Sequence, residues 1–381
     1  MSVADVAAGT TREVPAGGFP SDVTLSPDRQ RVYVTNAADS SLSIFAAGSM
    51  SLVKTVPLTH SNPVAILAAP TGHLGYVIHH VRDAVVSIVD LDAGSLLDEV
   101  PVDKYPRSGA LAATGSHLYL VHGDFNQLVT FEVVGQTLQV ASSVPLPLFP
   151  NSVAVTTDES TAFVALADPW DRSKSAIAKI DLEKGEVART LPLPDFPARM
   201  ALDAARDELY VAASTGISII DTRDFSLKGT FGSGLQYVDV ALGPEGTTAF
   251  VADSLRNEVA IFDRLSKLVV GAIPVGARPL GIDVGLVERG QGEAAPCSTV
   301  GAFPSRTPTA SPSPTPTVIS CPSGDCNGDG EVSHADFRTA IEIALLRAEA
   351  ALCACLDRSI DGSISVDEIV AAVAINPHSS R

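Results

Sequence analysis

Arg31-Val32-Tyr33-Val34-Thr35-Asn36 is the stretch on which the fold turns. It is a short apolar run with an aromatic at its third position and β-branched residues beside it, which suits a buried strand. Its echoes are Tyr76-Val77-Ile78-His79, Tyr119-Leu120-Val121-His122, Phe163-Val164-Ala165-Leu166, Tyr210-Val211-Ala212-Ala213 and Phe250-Val251-Ala252-Asp253. Successive aromatics lie 43, 43, 44, 47 and 40 residues apart. A second marker keeps the same phase: Pro20, Pro63, Pro106, Pro150, Pro197, then Tyr237 in the proline position, then Pro279.

The first unit holds four apolar segments, 21–26, 31–35, 41–46 and 52–57, separated by turns such as Ser26-Pro27-Asp28. Four short strands repeating every 40 to 45 residues, roughly, are the signature of propeller blades. A helical solenoid is excluded by runs such as Val85-Val86-Ser87-Ile88-Val89, which lack helical spacing. Six units are complete and one is split. Residues 1–15 read as the outer two strands of a blade, and 279–284 as its innermost strand. The predicted fold is mainly β: a seven-bladed propeller closed by both ends of the chain, which leaves no free edge, over residues 1–290.

Tyr33-Val34-Thr35-Asn36, followed by Ser43-Ile44 and a closing Thr55-Val56-Pro57, resembles the bacterial YVTN-type β-propeller repeat. The resemblance covers about residues 1–285. It implies blade type more than function. That family includes surface-layer and adhesion-like proteins, and its propellers are similar to those of lactonases and haem d1 domains. Only the first unit keeps the full motif.

Composition narrows the partners. The 381 residues are 45% apolar but only 5% aromatic, with a net charge of −18. Nucleic acid and anionic membrane surfaces are repelled by such a chain, while cations are attracted. No apolar run approaches the roughly 18 residues of a membrane span.

Residues 291–320 form a linker containing Arg306-Thr-Pro-Thr-Ala-Ser-Pro-Ser-Pro-Thr-Pro-Thr-Val. This composition buries no core and favours extended, semi-rigid chain. It also matches O-glycosylated stalks. Beyond it, 321–381 read as a small α-helical module. Asp325, Asn327, Asp329, Ser333 and Asp336 take positions 1, 3, 5, 9 and 12 of a calcium loop, Glu331 takes position 7, and Gly330 takes the sharp turn at position 6. Asp357, Ser359, Asp361, Ser363, Ser365 and Glu368 repeat the pattern 32 residues later, with Gly362 at the turn. Phe337, Ile341 and Leu345 place a helix after the first loop. Calcium is favoured over magnesium because a twelve-residue loop wraps a large ion with about seven oxygens. The pair resembles a dockerin or, more loosely, a paired EF-hand module. A dockerin resemblance implies a cohesin-type receptor. Ile360 at position 4 of the second loop departs from both patterns.

Cys321, Cys326, Cys353 and Cys355 lie in this module and Cys297 stands apart. Their spacings do not suit zinc, so two disulfides are expected, with three pairings open. Disulfides imply an oxidising compartment. Residues 1–6 show no leader pattern, so the linker and cysteines point to an extracellular or cell-surface protein whose signal peptide is missing from this sequence.

In the ring, ligands are expected at the loops between second and third strands. These carry Asn36 and Asp39; His79, His80 and Asp83; His122 and Asp124; and Asp168 and Trp170. Of these, His80, His122, Asp124, Asp168 and Trp170 are the candidate ligand-binding residues. Trp170 sits in the longest such loop and offers a platform for a sugar or side chain. Asp and Asn are also ordinary turn residues, and no catalytic signature is present. The expected function is secreted binding: the ring recognises a protein or glycan, and the calcium module attaches the assembly. The alternative is a lactonase- or hydrolase-type enzyme with an appended calcium module. A weaker third reading is an intracellular calcium-responsive scaffold.

Overall fold

A computed structural model describes residues 1–6, 10–168, 171, 174–232 and 236–286. The chain divides into two units, Met1–Val3 with Thr11–Ala294 and Ala4–Thr10 with Ala295–Arg381. The architecture below is that of the first. The linker, both calcium loops, the five cysteines and Trp170 lie outside the described residues.

Strands β1 (Ser2–Asp5) and β2 (Thr10–Glu13) pair with each other. Six four-stranded antiparallel meanders follow. Blade 1 is β3 (Pro20–Leu25), β4 (Arg31–Asn36), β5 (Ser41–Ala46) and β6 (Ser51–Pro57). Blade 2 is β7 (Pro63–Ala68), β8 (Leu74–His79), β9 (Val85–Asp90) and β10 (Ser95–Pro101). Blade 3 is β11 (Pro106–Leu111), β12 (His117–His122), β13 (Gln127–Val134) and β14 (Thr137–Pro145). Blade 4 is β15 (Phe149–Val155), β16 (Thr161–Ala167), β17 (Ser175–Asp181) and β18 (Glu186–Leu193). Blade 5 is β19 (Pro197–Asp203), β20 (Glu208–Ala213), β21 (Gly216–Asp221) and β22 (Ser226–Phe231). Blade 6 is β23 (Tyr237–Leu242), β24 (Thr248–Asp253), β25 (Glu258–Asp263) and β26 (Leu268–Pro274). First strands of successive blades touch, so they line the centre and the fourth strands lie outermost.

This arrangement explains the sequence pattern. Each second strand is covered on both faces by neighbouring blades, so it reads as a continuous apolar run. In β12 every residue after His117 is buried. Fourth strands are half solvated, and β6 is exposed except at Val56. The core therefore lies between blades. Tyr76, Ile78 and Ile88 of blade 2 pack with Leu118, Leu120 and Phe131 of blade 3. Tyr119 and Val121 of blade 3 pack with Val153 and Val164 of blade 4. Each first strand opens with a bulge at the marker position, as between Pro20 and Asp22. Proline fits there because a strand start demands no ladder N–H.

Among the described residues six blades are formed, not seven. Residues 279–284 make no strand ladder, yet they sit between the first strands of blades 6 and 1. The Ile282 N–H donates to Asp239 Oδ2 at 3.1 Å, and the Leu25 N–H donates to Asp283 Oδ2 at 2.7 Å. No helix occurs among the described residues.

One ion triad crosses the centre. Arg199 on β19 donates to Asp22 Oδ1 on β3 at 2.6 Å and lies 3.7 Å from Asp239 Oδ2 on β23. It also donates to the Val64 carbonyl at 3.3 Å. Burial raises the Asp239 pKa to about 7, against the Arg199 charge and with help from the Asp22 carboxylate. Burial alone would disfavour the Arg199 cation, but Asp22 and Asp239 outweigh it and raise its pKa.

The folded Asp239 pKa exceeds its unfolded value of about 4, so its contribution to stability is complete below that pH and disappears as pH rises through about 7. We expect stability to fall across this window by up to about 1.4 kcal/mol per pH unit from this group. Asp239→Asn should flatten the dependence in urea titrations. Arg199→Met should cost about 3–5 kcal/mol at pH 8, by stranding two buried carboxylates, and less at pH 5, where Asp239 is neutral.

Candidate functional site

First strands begin beside the ends of second strands: Pro20 pairs with Asn36, Pro63 with His79 and Pro106 with His122. The loops between second and third strands therefore share one face with the links between blades. Every described candidate residue of the ring lies at this face.

His79 ends β8 and is fully buried. Its Nδ1 donates to the Ser61 carbonyl at 3.0 Å, and its Nε2 lies 2.9 Å from Ser87 Oγ. Ser87 is also 3.0 Å from Glu99 Oε1, so its single hydroxyl proton serves one partner at a time. Glu99 further accepts from Thr59 and contacts His60 Nδ1 at 3.2 Å. Burial, the largest influence, favours the neutral Glu99 carboxyl, but hydrogen bonds from Thr59, His60 and Ser87 win and lower its pKa. Burial lowers the His79 pKa.

His122 occupies the equivalent place in blade 3. Its Nδ1 donates to the Asp103 carbonyl at 3.1 Å, and burial lowers its pKa. Its Nε2 is buried with no partner. The register gives the reason. Ser87 faces Val77 two residues before the end of β8, and the matching neighbour of Leu120 on β13 is Val129. A methyl stands where blade 2 has a hydroxyl.

His80 follows the end of β8 and turns to the next blade. Its Nδ1 donates to the Pro106 carbonyl at 3.0 Å, and its ring lies 5.4 Å from that of Tyr105. Thus His80 and His122 both border Pro106, on its two sides. Gly123 follows His122 and lies under Phe149, where a Cβ would come within 2.4 Å of the ring. Asp124 is exposed in the same turn. Asp168 belongs to another loop, where Lys174 Nζ lies 3.8 Å from it. His79, His80 and His122 each turn to a different main-chain carbonyl, that of Ser61, Pro106 and Asp103 respectively. Among the described residues no group of three or more His, Cys, Asp or Glu is placed to hold a metal. Sequence reading missed Ser87 and Glu99, whose relation to His79 depends on strand register.

This geometry is a β-propeller. The solved structures agree. One similar chain is hydrazine synthase from Kuenenia stuttgartiensis, with a TM-score of 0.65 and 16% identity over 72% of this chain and 92% of that one. Another is the Cps50 (Swd1) β-propeller domain from Myceliophteria thermophila, with a TM-score of 0.61 and 13% identity over 71% and 91%. A functionally unknown protein from Desulfotomaculum acetoxidans has a TM-score of 0.61 and 15% identity over 70% and 89%. Likenesses at these identities carry the fold alone. No family model and no curated protein matches the sequence.

Val129→Thr should supply the missing donor to His122 Nε2 and stabilise the ring by about 1 kcal/mol. Ser87→Val should strand His79 Nε2 and cost about 1–3 kcal/mol. Thermal melts of both variants check the pair; equal shifts would refute the register argument.

Proposed function

We propose that this is a secreted or cell-surface binding protein. The ring recognises a protein or glycan partner through the face just described. The C-terminal module holds two calcium ions, in the loops Asp325–Asp336 and Asp357–Glu368, and attaches the assembly to a cohesin-like receptor. The observation that carries the ring's part is the use of its histidines. His79, His80 and His122 each donate Nδ1 to a main-chain carbonyl near a blade junction. They serve the scaffold, while the rim of the same face leaves Phe19, Phe125 and Leu255 at 64%, 50% and 60% exposure. These large apolar side chains, two of them aromatic, are left open to a partner.

The enzyme alternative draws on one feature, the Ser87–His79 contact at 2.9 Å. Ser87 and His79 are both fully buried, which keeps substrate from the hydroxyl. Binding is the better reading.

We also infer that the ring has a seventh, divided blade. Arg12 donates to the Ser49 carbonyl in blade 1, as Lys54 does to Ala93 in blade 2 and Arg189 to Asp224 in blade 5. Each of these residues stands three before a proline, Pro15, Pro57 and Pro192. Arg278, before Pro279, takes a left-handed φ of 54°, close to the 52° that Asn62 and Tyr105 show before Pro63 and Pro106. These parallels support β1 and β2 as outer strands and 279–284 as the inner one.

Phe125→Glu should abolish capture of a partner by the immobilised ring without changing its melting temperature. The full chain should bind calcium by calorimetry, and the double change Asp325→Ala, Asp329→Ala should remove at least one site. An unchanged calcium isotherm would refute the attachment reading.

A further inference from the structure

The cations of this protein are not distributed evenly between paired and unpaired states. From Lys174 to Lys267, every described lysine and arginine has a carboxylate or carbonyl partner. Lys228, for example, lies 3.1 Å from both Glu208 and Asp221. Six described cations are different, and three of them, Arg82, Lys104 and Arg107, lie in neighbouring loops and strand ends while Arg29, Arg31 and Arg278 lie elsewhere. Among the described residues their side chains have no hydrogen-bond or ion-pair partner. Arg82, Lys104 and Arg107 lie on the face where second and third strands join, around the junctions of blades 2, 3 and 4. The Tyr105 N–H donates to the Val81 carbonyl at 2.9 Å, which brings the loop of Lys104 beside that of Arg82.

Aromatic rings are interleaved with these charges. The Arg107 guanidinium lies 4.9 Å from the Phe149 ring centre, and Lys104 Nζ lies 5.9 Å from that of Phe125. Burial lowers the Arg107 pKa and no carboxylate offsets it. Arg107 is nonetheless exposed at the start of β11, so its open N–H groups are free to take a bidentate carboxylate from a partner. The acids nearby do not supply one. Asp103 accepts from Gln127 Nε2 at 2.6 Å, and the exposed Asp83 and Asp124 form no ion pair among the described residues.

We propose that Arg82, Lys104 and Arg107, with Phe125 and Phe149, form a docking site for an acidic, aromatic- or aliphatic-bearing segment of a partner protein. The reading deepens the recognition role proposed above and rests on it. Charge complementarity selects the acidic residues, in a chain whose net charge of −18 repels acids elsewhere. The exposed Phe125, beside Lys104, gives the apolar side chains of such a segment a contact next to the charge.

The test uses the full chain and three labelled polymers: a random copolymer of glutamate and tyrosine, polyglutamate, and polygalacturonate. Fluorescence anisotropy should show the copolymer binding tightest, with affinity falling as salt rises. The triple variant Arg82→Ala, Lys104→Ala, Arg107→Ala should weaken it by about tenfold or more, equivalent to about 1.4 kcal/mol, with an unaltered melt. Phe125→Ala should erase the preference over polyglutamate. Polygalacturonate binding as tightly as the copolymer, no copolymer binding at low salt, or an undiminished triple variant would each overturn the proposal. A ring that captures a partner through Phe125 yet ignores the copolymer would remove the acidic assignment and leave the recognition role standing.

Discussion

Arg199 holds the centre of the ring. Its guanidinium reaches from blade 5 to Asp22 of blade 1, which follows in the ring only after blade 6 and residues 279–284. Asp22 in turn accepts from the Ile66 N–H of blade 2 at 3.1 Å, and Asp239 accepts from Ile282. One cation thus ties first strands that no ladder joins. Such a triad stabilises through arrangement rather than net charge energy, because burial of the two carboxylates costs heavily. Removing one member leaves the others uncompensated, which makes the cluster sensitive to both substitution and pH.

The same economy of polar groups runs through the blade junctions. Ser21 donates to the Pro63 carbonyl at 2.6 Å, His80 to Pro106 at 3.0 Å and Asn151 to Pro197 at 3.0 Å. At these three junctions the opening proline lacks an N–H but keeps its carbonyl, and a side chain of the preceding blade satisfies it. Buried carbonyls require such partners. Side chains that read as candidate chemistry are consumed in this way. Among the described residues, the face that remains carries unpaired cations and exposed rings.

Much of the fold was legible because a propeller repeats its burial pattern. The aromatic and proline markers located blades 1 to 6, and the four segments read in the first unit fall within one residue of β3 to β6. The expected seventh blade was less legible. Among the described residues β1 and β2 pair only with each other and 279–284 form no strand. An element divided between distant parts of a chain leaves no local repeat to read. The site was less legible still. His80 and His122 were both named from sequence, but their common neighbour Pro106 follows from strand pairing. Arg107 and Phe149 went unnoticed because nothing in the spacing of residues 107 and 149 signals a contact.

The sequence alone determined the repeat, its period and the strand order, because local apolar runs and turn residues dictate them. It also determined the acidic balance and the loop patterns of residues 325–336 and 357–368. Tertiary structure alone decided which polar residues spend their hydrogen bonds on blade junctions and which cations are left without partners. Those outcomes depend on register and on contacts between residues as distant as Asp22 and Arg199, and no local pattern encodes them.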